Sequence, residues 1–173
     1  MAKKKKVSAS TPALRLLSER GIPHEIETFD GGTAHFGENA AAQLDVDPAF
    51  LLKTLVVDLH PQRPGRTLGV CCVPVHHTLS LKKAAKAFGV SHAEMAAPAA
   101  AQRSSGYVPG GISPIAQKNP LPTLIDASVE GAERVWVSGG KRGVDVSLSA
   151  ADLAAATDGQ FADVRHEEAR PHR

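Results

Sequence analysis

The chain has 173 residues, of which 42% are apolar and 4% aromatic, and its formal net charge is +2. That is about one domain, long enough to bury a core of Val, Leu, Ile and Ala without disulfides or a structural metal, and too apolar to stay disordered. A membrane-spanning helix is excluded because no apolar run reaches the required ~18 residues, and a disulfide scaffold is excluded because the two cysteines, Cys71 and Cys72, are adjacent, a spacing that favours neither a bridge nor a metal pair.

Residues 1–10 read as a flexible basic N-terminal tail that holds the run Lys3 to Lys6. Such a run either draws phosphate through counterion release or is a solvated tail. It lacks the apolar h-region of a signal peptide, so the expected setting is the cytoplasm. The folded domain is expected over 11–164, followed by a polar C-terminal tail over 165–173. Thr11-Pro12 predicts a helix start, with Ala13, Leu14, Leu16 and Leu17 inward and a stop at Gly21. His24 to Phe29 alternates as a strand. Gly37 to Leu44 reads as a short helix and Asp47-Pro48 as another helical turn. Lys53 to Leu59 and Thr67 to Val75 read as buried strands of an antiparallel hairpin, joined by a surface loop over His60 to Arg66. Ser80 caps a helix over Leu81 to Phe88 that Gly89 closes. A further helix is expected from Pro98 to about Ser104, then a structured loop over Gly106 to Pro120. Leu121 to Asp126, Arg134 to Ser138 and Val144 to Leu148 read as strands, Ala150 to Thr157 as a helix capped by Ser149, and Phe161 to Val164 as a last strand. This irregular interleaving favours a mixed sheet with helices around it over a strict βαβ series.

Five segments offer chemistry. Lys53 lies within the apolar run Leu51 to Val57, so its ammonium either snorkels to solvent or faces a cavity where it holds an anion. Gly110-Gly111-Ile112-Ser113-Pro114 is either an ordinary turn or a backbone nest with a hydroxyl beside it. Ser138-Gly139-Gly140-Lys141-Arg142-Gly143 is not a Walker A loop and fits a hairpin turn that exposes two cations. Asp145 stands between Val144 and Val146 and so points to the opposite face, toward solvent or a cleft. Asp126 ends another strand and reads equally as a turn residue. His76 and His77 are adjacent and no HExxH or CxxC spacing occurs, so no metal and no cofactor is expected.

Taken in order, Lys53-Thr54-Leu55, Ala101-Gln102-Arg103-Ser104-Ser105-Gly106-Tyr107, Gly110 to Pro114, Leu121 to Asp126 and Ser138 to Gly143 resemble the YbaK family of Cys-tRNA(Pro) deacylases, free-standing relatives of the editing domain of bacterial prolyl-tRNA synthetase. The resemblance spans roughly Thr11 to Val164. It implies an α/β fold, a single domain with a mixed, barrel-like central sheet surrounded by helices. It implies a cleft for the 3′ end of an aminoacylated tRNA and hydrolysis of a noncognate aminoacyl ester. The functionally required lysine and glycine of that family match Lys53 and Gly110, and its pocket phenylalanine and post-turn acid match Phe36 and Asp145. Phe29 stands where relatives often carry tyrosine, and Pro109 and Ala116 also depart from the commonest pattern. Gly111, Ser113 and Ser138 complete the expected substrate-binding set. In that family the thiol of the misattached cysteine attacks its own ester, and prolyl-tRNA synthetase is the expected partner. The competing readings are an Ala-tRNA(Pro) deacylase and a noncatalytic tRNA- or synthetase-binding protein.

Overall fold

The computed structural model describes residues 11–30, 36–59 and 67–167, with the side chains of the helix that starts at Phe36 described from Asn39 onward. The lysine run and the loop over His60 to Arg66 lie outside these residues. Helix α1 (Pro12–Glu19) begins where the Thr11 side chain accepts the Leu14 N–H and a proline fills the first turn. It ends at Arg20, with Gly21 at φ 65°. Strand β1 (Glu25–Thr28) and helix α2 (Phe36–Leu44) follow. A 3-10 turn, Pro48–Phe50, starts on the Asp47 side chain and leads into β2 (Leu52–Asp58). The hairpin partner is β3 (Leu68–Pro74). Helix α3 (Leu81–Phe88) is capped by Ser80 and closed by Gly89 at φ 78°. Then come β4 (Glu94–Met95), α4 (Pro98–Ser105) and β5 (Thr123–Asp126). The chain finishes with β6 (Val135–Lys141), β7 (Val144–Leu148), α5 (Ala150–Thr157) and β8 (Gln160–Ala162).

Among the described residues two sheets form rather than one. The first has the order β1-β7-β6 and the second β4-β2-β3-β5-β8. The first is antiparallel throughout, whereas the second is mixed: β2 runs antiparallel to β3 and β4, while β3, β5 and β8 run parallel. The expected mixed α/β character holds, but the sheet does not close into a barrel. Closure needs a continuous ladder between neighbouring strands. Between the two sheets the described residues provide only the isolated bridge Leu51↔Trp136, at the point where the 3-10 turn delivers the chain to β2.

The sheets pack through their apolar faces. Val135 and Val137 of β6, Val144, Val146 and Leu148 of β7 and Ile26 of β1 share one core with Leu52, Val70 and Cys72 of the larger sheet. The opposite face of the larger sheet, with Val57, Cys71 and Val73, packs on Ala84 and Ala85 of α3. Strand periodicity then fixes the remainder. Because the valines of β6 and β7 and Ile26 face the core, Glu25, Glu27, Trp136, Ser138, Asp145 and Ser147 share the outer face of the small sheet.

Candidate active site

A pocket of about 270 Å³ opens on that outer face, against the start of β2. Its walls include Phe29, Lys53, Gly110, Ser138 and Asp145, five residues far apart in sequence. Thr54, Ile112 and Gly143 contribute further surface, and Ala40, Leu51, Leu52 and Val75 make the rest of it apolar. A small apolar pocket with a few convergent polar groups is the usual form of a ligand site.

Each polar group is positioned by a specific local cause. Lys53 is half-buried near the start of β2, opposite Val73. Glu27, Asp145 and Ser138 form a row across three strands, since Asp145 pairs with Glu27 on β1 and with Ser138 on β6. Asp145 is only 6% exposed. Burial, and then the charge of Glu27, push its carboxyl up to about 7. Glu27 is itself held by Trp136, whose Nε1 donates to its Oε2 at 3.1 Å. Phe29 is placed past the end of β1 by its N–H, which donates to Gly143 O at 2.9 Å.

Gly110 reaches the pocket through a tight turn. Gly111 N–H donates to Val108 O at 2.8 Å, with Pro109 and Gly110 between them and Gly110 at φ 85°. Proline followed by a positive-φ glycine is the pattern of a type II turn. This turn is clasped to the β6–β7 hairpin. A Cβ on Gly111 would lie 2.8 Å from the Arg142 nitrogen and from the Lys141 carbonyl carbon. Arg142 Nε donates to Pro109 O at 2.7 Å. On the other side of the loop, the Tyr107 hydroxyl donates to Ile115 O at 2.8 Å.

Two sequence-predicted residues serve that loop instead of the pocket surface. Gly111 permits the close approach to the hairpin. Ser113 is fully buried, and its hydroxyl accepts the Ile115 N–H at 3.2 Å. The Ser138 hydroxyl accepts the Gly140 N–H at 3.1 Å, so it lines the pocket but is already partly engaged. Phe36 begins α2, and its side chain lies outside the described residues. Glu27 and Thr54 escaped sequence reasoning. Glu27 alternates with Ile26, which fixed its face, but nothing local showed that Asp145 would sit beside it. Asp126 lies elsewhere. Its carboxylate accepts the Ser128 and Val164 N–H groups and stands 3.6 Å from Arg165.

No activated nucleophile is visible among the described lining groups. Cys71 and Cys72 are buried within β3, where burial pushes both thiols up to about 12, so neither holds a reactive thiolate. The site instead offers a cation, an acid, a glycine turn and apolar walls. That set can bind, orient and stabilise charge.

Residues 32–156 match the family model of the aminoacyl-tRNA editing domain. The chain belongs to that family. As the YbaK resemblance implied, it is a hydrolase of the editing class. A protein of Enterococcus faecalis, EbsC, to which Cys-tRNA(Pro)/Cys-tRNA(Cys) deacylase activity is ascribed, is 31% identical over 166 residues, spanning 95% of this editing protein and 99% of EbsC. A crystal structure ascribed to a trans-editing enzyme for prolyl-tRNA synthetase shares the fold, with a TM-score of 0.75 at 22% identity and coverage of 96% of this chain and 99% of that one. The crystal structure of a hypothetical protein shares it as well, with a TM-score of 0.79 at 20% identity, covering 90% and 100% of the two chains. No helix among the described residues of this editing domain is long and apolar enough to cross a membrane.

Proposed function

We propose that this chain is a trans-editing hydrolase that removes cysteine from mischarged Cys-tRNA(Pro), with help from the substrate's own thiol. The observation that carries the reading is the convergence of Lys53, the Gly110 turn and Asp145 on one small pocket, with no activated protein nucleophile among its described lining residues. A free cysteine thiol has a pKa near ~8.5, which leaves a usable thiolate fraction at neutral pH. In the proposed reaction the thiol loses its proton and its sulfur attacks the ester carbonyl carbon. The C–S bond forms, the C–O bond to the ribose breaks, and the ribose oxygen takes up a proton. Water then opens the strained thiolactone to free cysteine. Lys53 holds the terminal phosphate or ribose. The Gly110 N–H, which has no acceptor among the described residues, is the donor to the carbonyl oxygen, because the Gly111 N–H is committed to Val108 O. Phe29 narrows the pocket, and prolyl-tRNA synthetase would supply selectivity for the tRNA.

The test compares hydrolysis of Cys-tRNA(Pro), Ala-tRNA(Pro) and Pro-tRNA(Pro) by the wild type and by Lys53→Ala. Loss of cysteine alone, with kcat/KM reduced ~10²-fold or more in the variant, is the expected outcome. Preference for alanine would remove the thiol-assisted step, since alanine has no thiol. Failure to turn over any of the three would leave a binding protein with an editing fold.

A further inference from the structure

The pocket has one feature that the proposed deacylation does not yet use. Among its described lining residues the only charged groups are Lys53 and Asp145. Asp145 is more than nine-tenths buried, and its carboxyl has no hydrogen-bond or ion-pair partner among the described residues. Its nearest ionisable neighbour across the ladder is another acid, Glu27. Cross-strand neighbours stand with their Cβ atoms roughly 5 Å apart. A buried acid with a structural role is normally satisfied by donors. Here the polarity is the reverse, because burial and a like charge both act against the ionised form. A cationic ligand group would relieve both costs.

We propose that Asp145, backed by Glu27, binds the α-ammonium group of the aminoacyl ester, so that the enzyme acts on free aminoacyl-tRNA and spares N-acylated esters such as peptidyl-tRNA. This rests on the deacylase reading of the same pocket and deepens it. Every free aminoacyl ester carries that ammonium, whatever its side chain. Its nitrogen lies about 2.5 Å from the scissile carbonyl carbon, so seating it on Asp145 fixes the carbonyl inside the pocket that Gly110 also lines. The substrate is anionic at its phosphate end and cationic at its amine, and the pocket supplies Lys53 for the first and Asp145 for the second. An N-acyl group abolishes the cation, adds bulk and leaves the carboxyl without a partner, which disfavours binding strongly.

The test compares Cys-tRNA(Pro) with N-acetyl-Cys-tRNA(Pro) for wild type and Asp145→Asn. Each rate is divided by the spontaneous hydrolysis rate of the same ester, because the ammonium itself activates the ester. The wild type is expected to favour the free amine by at least about tenfold. In Asp145→Asn that preference should fall toward one, through loss on the free-amine substrate. Equal corrected wild-type rates, or a variant that keeps the full preference, would overturn the proposal. Calorimetry with a nonhydrolysable 3′-cysteinylamido-adenosine and its N-acetylated form reads binding without turnover. If the wild type prefers the free-amine analogue but hydrolyses no ester, the deacylase reading fails and the ammonium site stands. If it hydrolyses Cys-tRNA(Pro) while making no distinction in either assay, the ammonium site fails and the deacylase reading stands. If neither analogue binds, the ammonium site is wrong.

Discussion

Asp145 carries a cost that thermal unfolding can read. Its carboxyl is pushed from an ordinary value of 3.8 up to about 7, by burial first and by Glu27 second. The folded chain therefore binds this proton more tightly than the unfolded chain does. The stabilising effect of the raised value is fully present below the unfolded pKa and is lost as pH rises through the folded one. Asp145→Asn cannot ionise. It is expected to leave Tm close to wild type near pH 4 and to raise it by several degrees at pH 8, while deacylation falls. Parallel Tm curves for the two proteins across that range would show that the acid is not perturbed. At this scale the sequence was legible in part. Alternation placed Asp145 opposite its flanking valines, and the YbaK resemblance pointed to Lys53, Gly110 and Phe29, which meet in the pocket. Ser113 is not among the described lining residues of the pocket, and a run of glycine, isoleucine, serine and proline does not reveal which atoms turn inward. Here the hydroxyl folds back on the Ile115 N–H.

At the scale of elements, the Gly110 turn depends on its clasp to the β6–β7 hairpin. The atoms that a Cβ on Gly111 would meet are backbone, at 2.8–2.9 Å, and cannot rotate away. Gly111→Ala should therefore push the loop off the hairpin, lower stability by about 1–3 kcal/mol and lower kcat/KM with it, since the adjacent Gly110 forms pocket wall. Gly21→Ala is the control. Its Cβ meets nothing within 4 Å, and only the positive φ of 65° is strained. It should cost about 1 kcal/mol and leave activity intact. Urea unfolding and deacylation measured on both variants separate the two cases. Equal effects on activity would show that the clasp does not position Gly110. Helix ends were readable because caps are local chemistry, as at Thr11, Ser80 and Ser149. Strand β4 was not, since two residues carry no alternation. Strand β6 runs on to Lys141 through an irregularity after Ser138, where the glycines read as turn.

At the scale of the whole molecule, pairing partners decide what local signals cannot. Every strand of the small sheet was foreseen, but not its separation from the larger sheet, to which one bridge at Leu51 and Trp136 joins it among the described residues, and no sequence pattern reports that. The C-terminal end makes the same point. Residues from Arg165 onward read as a tail, yet Arg165 bridges to Leu79 and His166 N–H donates to Thr78 O at 3.0 Å. Arg165 also joins two parts of the fold. It stands 3.6 Å from the buried Asp126 carboxylate, and its Nη1 donates to His77 Nε2 at 2.8 Å. His77 is therefore an acceptor at that nitrogen, and its pKa is held below the ordinary value by burial first, then by the charge of Arg165, with Lys53 of the pocket adding to the same effect. Arg165→Ala should leave Asp126 without its cation, at a cost of about 1–2 kcal/mol because the arginine is partly exposed. It should also raise the His77 pKa, since a repelling charge is removed and the nitrogen becomes available for a proton. Nuclear magnetic resonance titration of His77 in the two proteins checks this directly. A Tm loss with an unchanged His77 titration would confine Arg165 to anchoring the chain end. A raised titration would show that the same residue also holds down the charge of His77, just past the end of β3.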